Sequence, residues 1–122
     1  MKRVAAPAPS AGPDATITKW PAVEPVVSTV HPAGPVASAL LALAQHTGAS
    51  GRELLDALVL GIDVACRVGN AMYPDHYDRG WHITGSTGTL GAAAACARLP
   101  KLDAGRTAMA LGIAAPQPGG MR

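Results

Sequence analysis

Ser50-Gly51-Arg52-Glu53 has the form of a helix capping box, with a serine hydroxyl at the start and a glutamate three residues on. It opens a run in which Leu54, Leu55, Leu58, Ile62, Ala65, Cys66 and Gly69 fall at helical spacing and mark one broad apolar face. The spacing predicts a helix from this start to about Met72, ending before Pro74. Gly61 and Gly69 lie inside it, where each glycine costs roughly 1 kcal/mol relative to alanine. Glycines kept at such a cost mark points where another helix comes close. A long capped helix carrying contact glycines restricts the chain to a helical bundle. Composition agrees: hydrophobic residues are 48% of the chain, yet aromatics are 3% and phenylalanine is absent. Such a core is built by close approach through Ala, Val, Leu and Ile, without large aromatic plugs.

Further helices follow from the same rules. Val36, Ala39, Leu40, Leu43 and Ala44 predict a helix from Pro35 to His46 that stops before Gly48. A third spans about Ser86 to Leu99, and Asp103 can cap a fourth running to about Ala115, ended by Pro116, Pro118, Gly119 and Gly120. Residues 73–80 read as a loop. Val23-Glu24-Pro25-Val26-Val27 is too short and too Pro-interrupted for a convincing strand. The expected fold is all-α, four helices joined by short loops. Residues 1–30 carry Pro7, Pro9, Pro13, Pro21 and Pro25 and are expected to form an extended or disordered arm, with residues 31–122 as the folded part.

Charge and motifs exclude several function classes. Ten Lys and Arg against eight Asp and Glu give a net charge of +2, too balanced for a nucleic-acid groove or an anionic membrane surface. The stretch Leu54–Cys66 contains Asp56 and Asp63 and is not a membrane span. Met1-Lys2-Arg3 is followed by prolines instead of an apolar region, so no secretory signal is read and a cytoplasmic setting is expected. Cys66 and Cys96 fall in predicted helices as small apolar residues, with a disulfide or metal pair as the alternative. No CxxC or HExxH spacing supports a zinc site.

The segment Gly80-Trp81-His82-Ile83-Thr84-Gly85-Ser86-Thr87-Gly88 concentrates the chemistry. Glycines permit sharp turns and close approach, free N–H groups at a helix start favour anions, and histidine moves a proton near neutral pH. An anionic small molecule is one reading; turns and helix caps are the other. The segment lacks the lysine of a Walker loop and the preceding strand of a dinucleotide fingerprint. His31, just before the first helix, is either a turn residue, a ligand contact or a solvent group; His46, near a helix end, reads as structural; His76 is open between the two.

These segments together are similar to a known family. His31-Pro32-Ala33-Gly34-Pro35-Val36, Gly48 to Leu55, Gly61 to Gly69, Gly80-Trp81-His82 with Thr87-Gly88-Thr89 and Gly91 to Ala94, and Ala110 to Ala115 resemble, in order, blocks of the MmgE/PrpD family. The resemblance implies the helical domain of a cofactor-independent lyase, a hydro-lyase or decarboxylase acting on a citrate-like acid such as 2-methylcitrate, by proton abstraction beside a carboxylate. It implies no metal or organic cofactor, and a homo-oligomer; self-association is expected through the small-residue helix faces of Gly61, Gly69, Gly88, Gly91 and Ala92–Ala95. His31 and His82 match the family's pocket histidines and are the candidate catalytic residues, with Thr84, Gly85, Ser86 and Thr87 as candidate substrate-binding residues. The family's acidic segment before the first histidine block has no counterpart in residues 21–29, and no α/β lid is present. The chain is therefore expected to be a partial helical domain. The alternative to the lyase reading is a truncated, inactive helical fragment with at most weak anion binding or self-association.

Overall fold

The structure is a computed structural model that describes residues 30–120. The expected arm, residues 1–30, lies outside the described residues apart from Val30. Five helices follow in order: α1 (Ala33–Thr47), α2 (Gly51–Met72), α3 (Asp75–Asp78), α4 (Ile83–Arg98) and α5 (Ala104–Ala114). The fold is all-α, with no β-sheet among the described residues.

Three of the starts follow from side-chain chemistry. Ser50 accepts a hydrogen bond from the Glu53 backbone N–H, and the Glu53 carboxylate accepts from the Ser50 backbone N–H, completing the capping box of α2. Asp103 accepts from the Arg106 N–H at 2.8 Å and starts α5. α4 begins at Ile83, three residues before the predicted start at Ser86, because the His82 side chain caps it. The predicted loop over residues 73–80 contains the short helix α3, opened by Pro74, whose fixed φ suits a helix start. α1 ends at Gly48, which has a φ of 66° and returns its N–H to the Ala44 carbonyl.

α4 is the central helix and packs on α1, α2 and α5. Its contact with α2 runs through small residues. Ala57, Gly61, Ala65 and Gly69, spaced by four, form the buried stripe of α2. A Cβ on Gly61 would lie 2.7 Å from the Gly91 carbonyl oxygen, and a Cβ on Gly91 would lie 2.6 Å from that of Gly61. The two backbones touch where side chains would stand. Gly88 is filled in the same way by Pro35. The glycines of residues 85–91 thus lie within α4, and Gly88 and Gly91 serve helix contact. Leu55, expected on the buried face of α2, is exposed, as is Val59, because the close approach centres on the small stripe and turns both to its outer side. Val36, Leu40, Ala44, Ala57, Ala95 and Leu99 form the core cluster, with Leu43, Leu54 and Leu58 against it.

Candidate functional site

The first turn of α4 gathers His82, the main chain of His31 and, through Ser86, His76. His82 stands at its N-cap, with extended backbone (φ −77°, ψ 99°), and its Nδ1 accepts the Gly85 N–H at 3.0 Å. An imidazole nitrogen that accepts is unprotonated. In this arrangement the neutral ring carries its proton on Nε2. The ring is exposed. Its own backbone N–H donates to the Gly120 carbonyl at 3.1 Å, so the segment after α5 returns to the start of α4.

His31 reaches the same corner through its main chain. Its N–H donates to Thr84 Oγ1 at 3.1 Å, across 53 residues of sequence. The neighbouring Val30 is buried against Gly69 of α2, which fixes the entry of the chain to α1. His31 itself is exposed. The structure thus joins His31, His82, Thr84 and Gly85 at one end of α4.

Ser86 and Thr87 point elsewhere. The Ser86 hydroxyl is 5% exposed and lies 2.9 Å from His76 Nε2, with the His82 carbonyl 3.5 Å away. Thr87 is fully buried; its hydroxyl donates to the Ile83 carbonyl at 2.9 Å and its methyl packs towards Gly69. It belongs to the contact between α4 and α2.

His76, left open by the sequence, stacks on Trp81 with ring centroids 5.9 Å apart and planes within 13°. The signal for it was its place in a loop dense with ionisable and aromatic groups, but the partner ten residues on had no local cue. His76, Trp81, Ser86, Met72, Leu90, Ala115, Pro116 and Pro118 border a cavity of about 250 Å³. A larger hollow of about 450 Å³, at the opposite end of α4, is lined by Arg52, Glu53, Asp56, Arg98 and Lys101, with Lys101 ion-paired to Glu53 at 3.3 Å.

Cys66 and Cys96 are free and half-buried. Burial pushes both thiols up, with Asp63 adding to the effect at Cys66, so neither is activated as a nucleophile. Among the described residues, no three His, Cys, Asp or Glu side chains are grouped to hold a metal ion. None of the described helices is long and apolar enough to cross a membrane.

The fold and the corner at α4 define an all-α domain whose central helix is capped by a histidine and tied to a second histidine turn. Residues 27–122 match the MmgE/PrpD N-terminal domain, and the chain belongs to the MmgE/PrpD family. A cis-aconitate decarboxylase-like protein, oryM, of Aspergillus oryzae (strain ATCC 42149 / RIB 40) is 45% identical over 73 residues, covering 59% of this chain. The matched segment spans 15% of that relative's length. No solved structure matches the chain.

Proposed function

We propose that the corner of His31, His82, Thr84 and Gly85 is part of a carboxylate-binding site, and that the chain carries part of a cofactor-independent lyase acting on a citrate-like acid. The single observation that carries this is the bond from the His31 N–H to Thr84 Oγ1, which sets the two histidine segments side by side. The relative named for cis-aconitate decarboxylase-like character supports the lyase class. His82 Nε2–H is the group that donates a hydrogen bond to a carboxylate oxygen. The imidazole of His31 is the proton-moving group. Ser86 and Thr87 face away from this corner and support it only as residues of the first turns of α4. A cytoplasmic setting, in which Cys66 and Cys96 remain thiols, completes the proposal.

A histidine-ring NMR titration with citrate tests it. Saturable shifts of His31 and His82, with His46 unmoved, are the expected result. His82→Asn keeps a capping side chain and removes the imidazole, so it should abolish the response while the fold persists. An unchanged citrate response in that variant, or no response in the parent chain, overturns the assignment.

The alternative reading, an inactive helical unit that self-associates, is favoured by one observation. Leu55 and Val59 on α2 and Met109 and Ile113 on α5 are exposed apolar pairs.

A further inference from the structure

We infer that the cavity beneath Trp81 is a binding site of its own, for an uncharged single-ring molecule that bears one hydroxyl. It goes beyond the carboxylate corner and shares with that proposal only Ser86.

The walls decide the class of ligand. Met72 of α2, Leu90 of α4, and Ala115, Pro116 and Pro118 after α5 give apolar surface on several sides. Trp81 adds an indole with one face stacked by His76. Among the described residues, no Lys, Arg, Asp or Glu lines the space. A charged ligand would gain no countercharge from these walls, whereas an uncharged ring loses little hydration against them. The hollow is open to solvent, and its volume of about 250 Å³ leaves room for a single ring.

The polar atoms are few and converge. His76 Nε2 and Ser86 Oγ, 2.9 Å apart, are a polar side-chain pair of the wall. A hydroxyl oxygen has one donor and two acceptor positions, so the Ser86 hydroxyl still has capacity for a ligand after engaging His76. One hydroxyl on the ligand is what this pair can satisfy. The sites are also separate in surroundings: His82 is not among the residues that line the cavity, and His76, Leu90 and Met72 are absent from the corner of His31, His82 and Thr84.

Phenol is the probe and benzoate its charged counterpart of the same ring. In an NMR titration of the full chain, phenol should shift the Trp81 indole N–H and the Met72 and Leu90 methyls saturably. Benzoate should do so at least tenfold more weakly. Ser86→Ala should weaken phenol about five- to tenfold, the loss of one hydrogen bond. Ala115→Leu, placed on the cavity wall, should abolish phenol binding while thermal unfolding stays cooperative. Citrate should leave the Met72 and Leu90 signals unmoved whether or not it binds at His31 and His82, so failure of either site is distinguishable. Equal affinities for phenol and benzoate, a phenol response spread to Leu55 and Val59, no response at all, or undiminished phenol binding in Ala115→Leu would each overturn the assignment.

Discussion

Gly61 and Gly91 occupy each other's side-chain space, and this reciprocity fixes how α2 lies on α4. A methyl group on Gly61 meets a backbone oxygen, Val36 and Ala95 at 2.7 Å, none of which is the free end of a flexible side chain. Relief requires the helices to separate, which opens the core around Val36 and Ala95. Gly61→Ala or Gly91→Ala should therefore lower stability by about 1–3 kcal/mol, as overpacked cores do. Gly112 of α5 gives the opposite case. Nothing lies within 4 Å of the position a Cβ would take, and it sits inside a helix. Gly112→Ala should raise stability by about 0.4–1 kcal/mol, through helix propensity and a less disordered unfolded chain. Urea unfolding followed by circular dichroism checks both. A neutral Gly61→Ala would show that the two backbones are not in contact in solution.

At the level of elements, α2 depends on its cap. Glu53 is held below the ordinary carboxylate value of 4.5, chiefly by the Ser50 backbone N–H, then by the Ser50 hydroxyl and Lys101. A carboxyl lowered on folding adds stability that is present above its unfolded value and is lost as pH falls through the folded one. The contribution of this group should thus be complete at neutral pH and decline below pH 4.5. Ser50→Ala should cost about 1 kcal/mol at pH 7 and flatten the acid limb of the stability curve. Denaturant midpoints between pH 7 and pH 3 measure this, and an acid limb unchanged in Ser50→Ala would refute it. The cap at Ser50, the cap at Asp103 and the end of α2 at Met72 were legible because each uses a residue type with a strong local preference. The start of α4 was not. Histidine is an uncommon cap, and Gly85 reads locally as loop, while Gly88 and Gly91, which the sequence already places in the helix, have tertiary partners that no local signal names: Pro35, Gly61 and Ala65 fill their sides. The candidate site shows the same division. His31 and His82 stood out through their motifs. The link from His31 to Thr84 spans 53 residues and has no local signature, and neither does the inward turn of Thr87 towards Gly69.

For the whole molecule, the histidine corner and the outer faces have a common feature: both stand open. His31 and His82 are exposed in a chain that spans 15% of the length of the relative it matches. A lyase site needs water kept from the reacting carbon and several groups in register. The 122-residue chain alone should accordingly show no measurable dehydration of 2-methylcitrate. An absorbance assay for the unsaturated product checks this, and turnover that vanishes in His82→Ala would contradict it. The outer faces lead to association. Leu55 and Val59 are 58% and 62% exposed, one turn apart on α2; Met109 and Ile113 are 64% and 70% exposed, one turn apart on α5. Each pair makes a continuous apolar strip on a helix surface, and strips of this kind in a folded chain favour association over solvation. The chain should associate with itself as concentration rises, through α2, α5 or both. Size-exclusion chromatography with light scattering over a concentration series reads the mass directly. Val59→Lys and Ile113→Lys, made singly, identify the face, since a lysine on the face in use disfavours contact and one on the idle face leaves the mass unchanged. A monomer at every concentration, with no binding of a hydrophobic dye, would mean that these strips are tolerated in water as they stand.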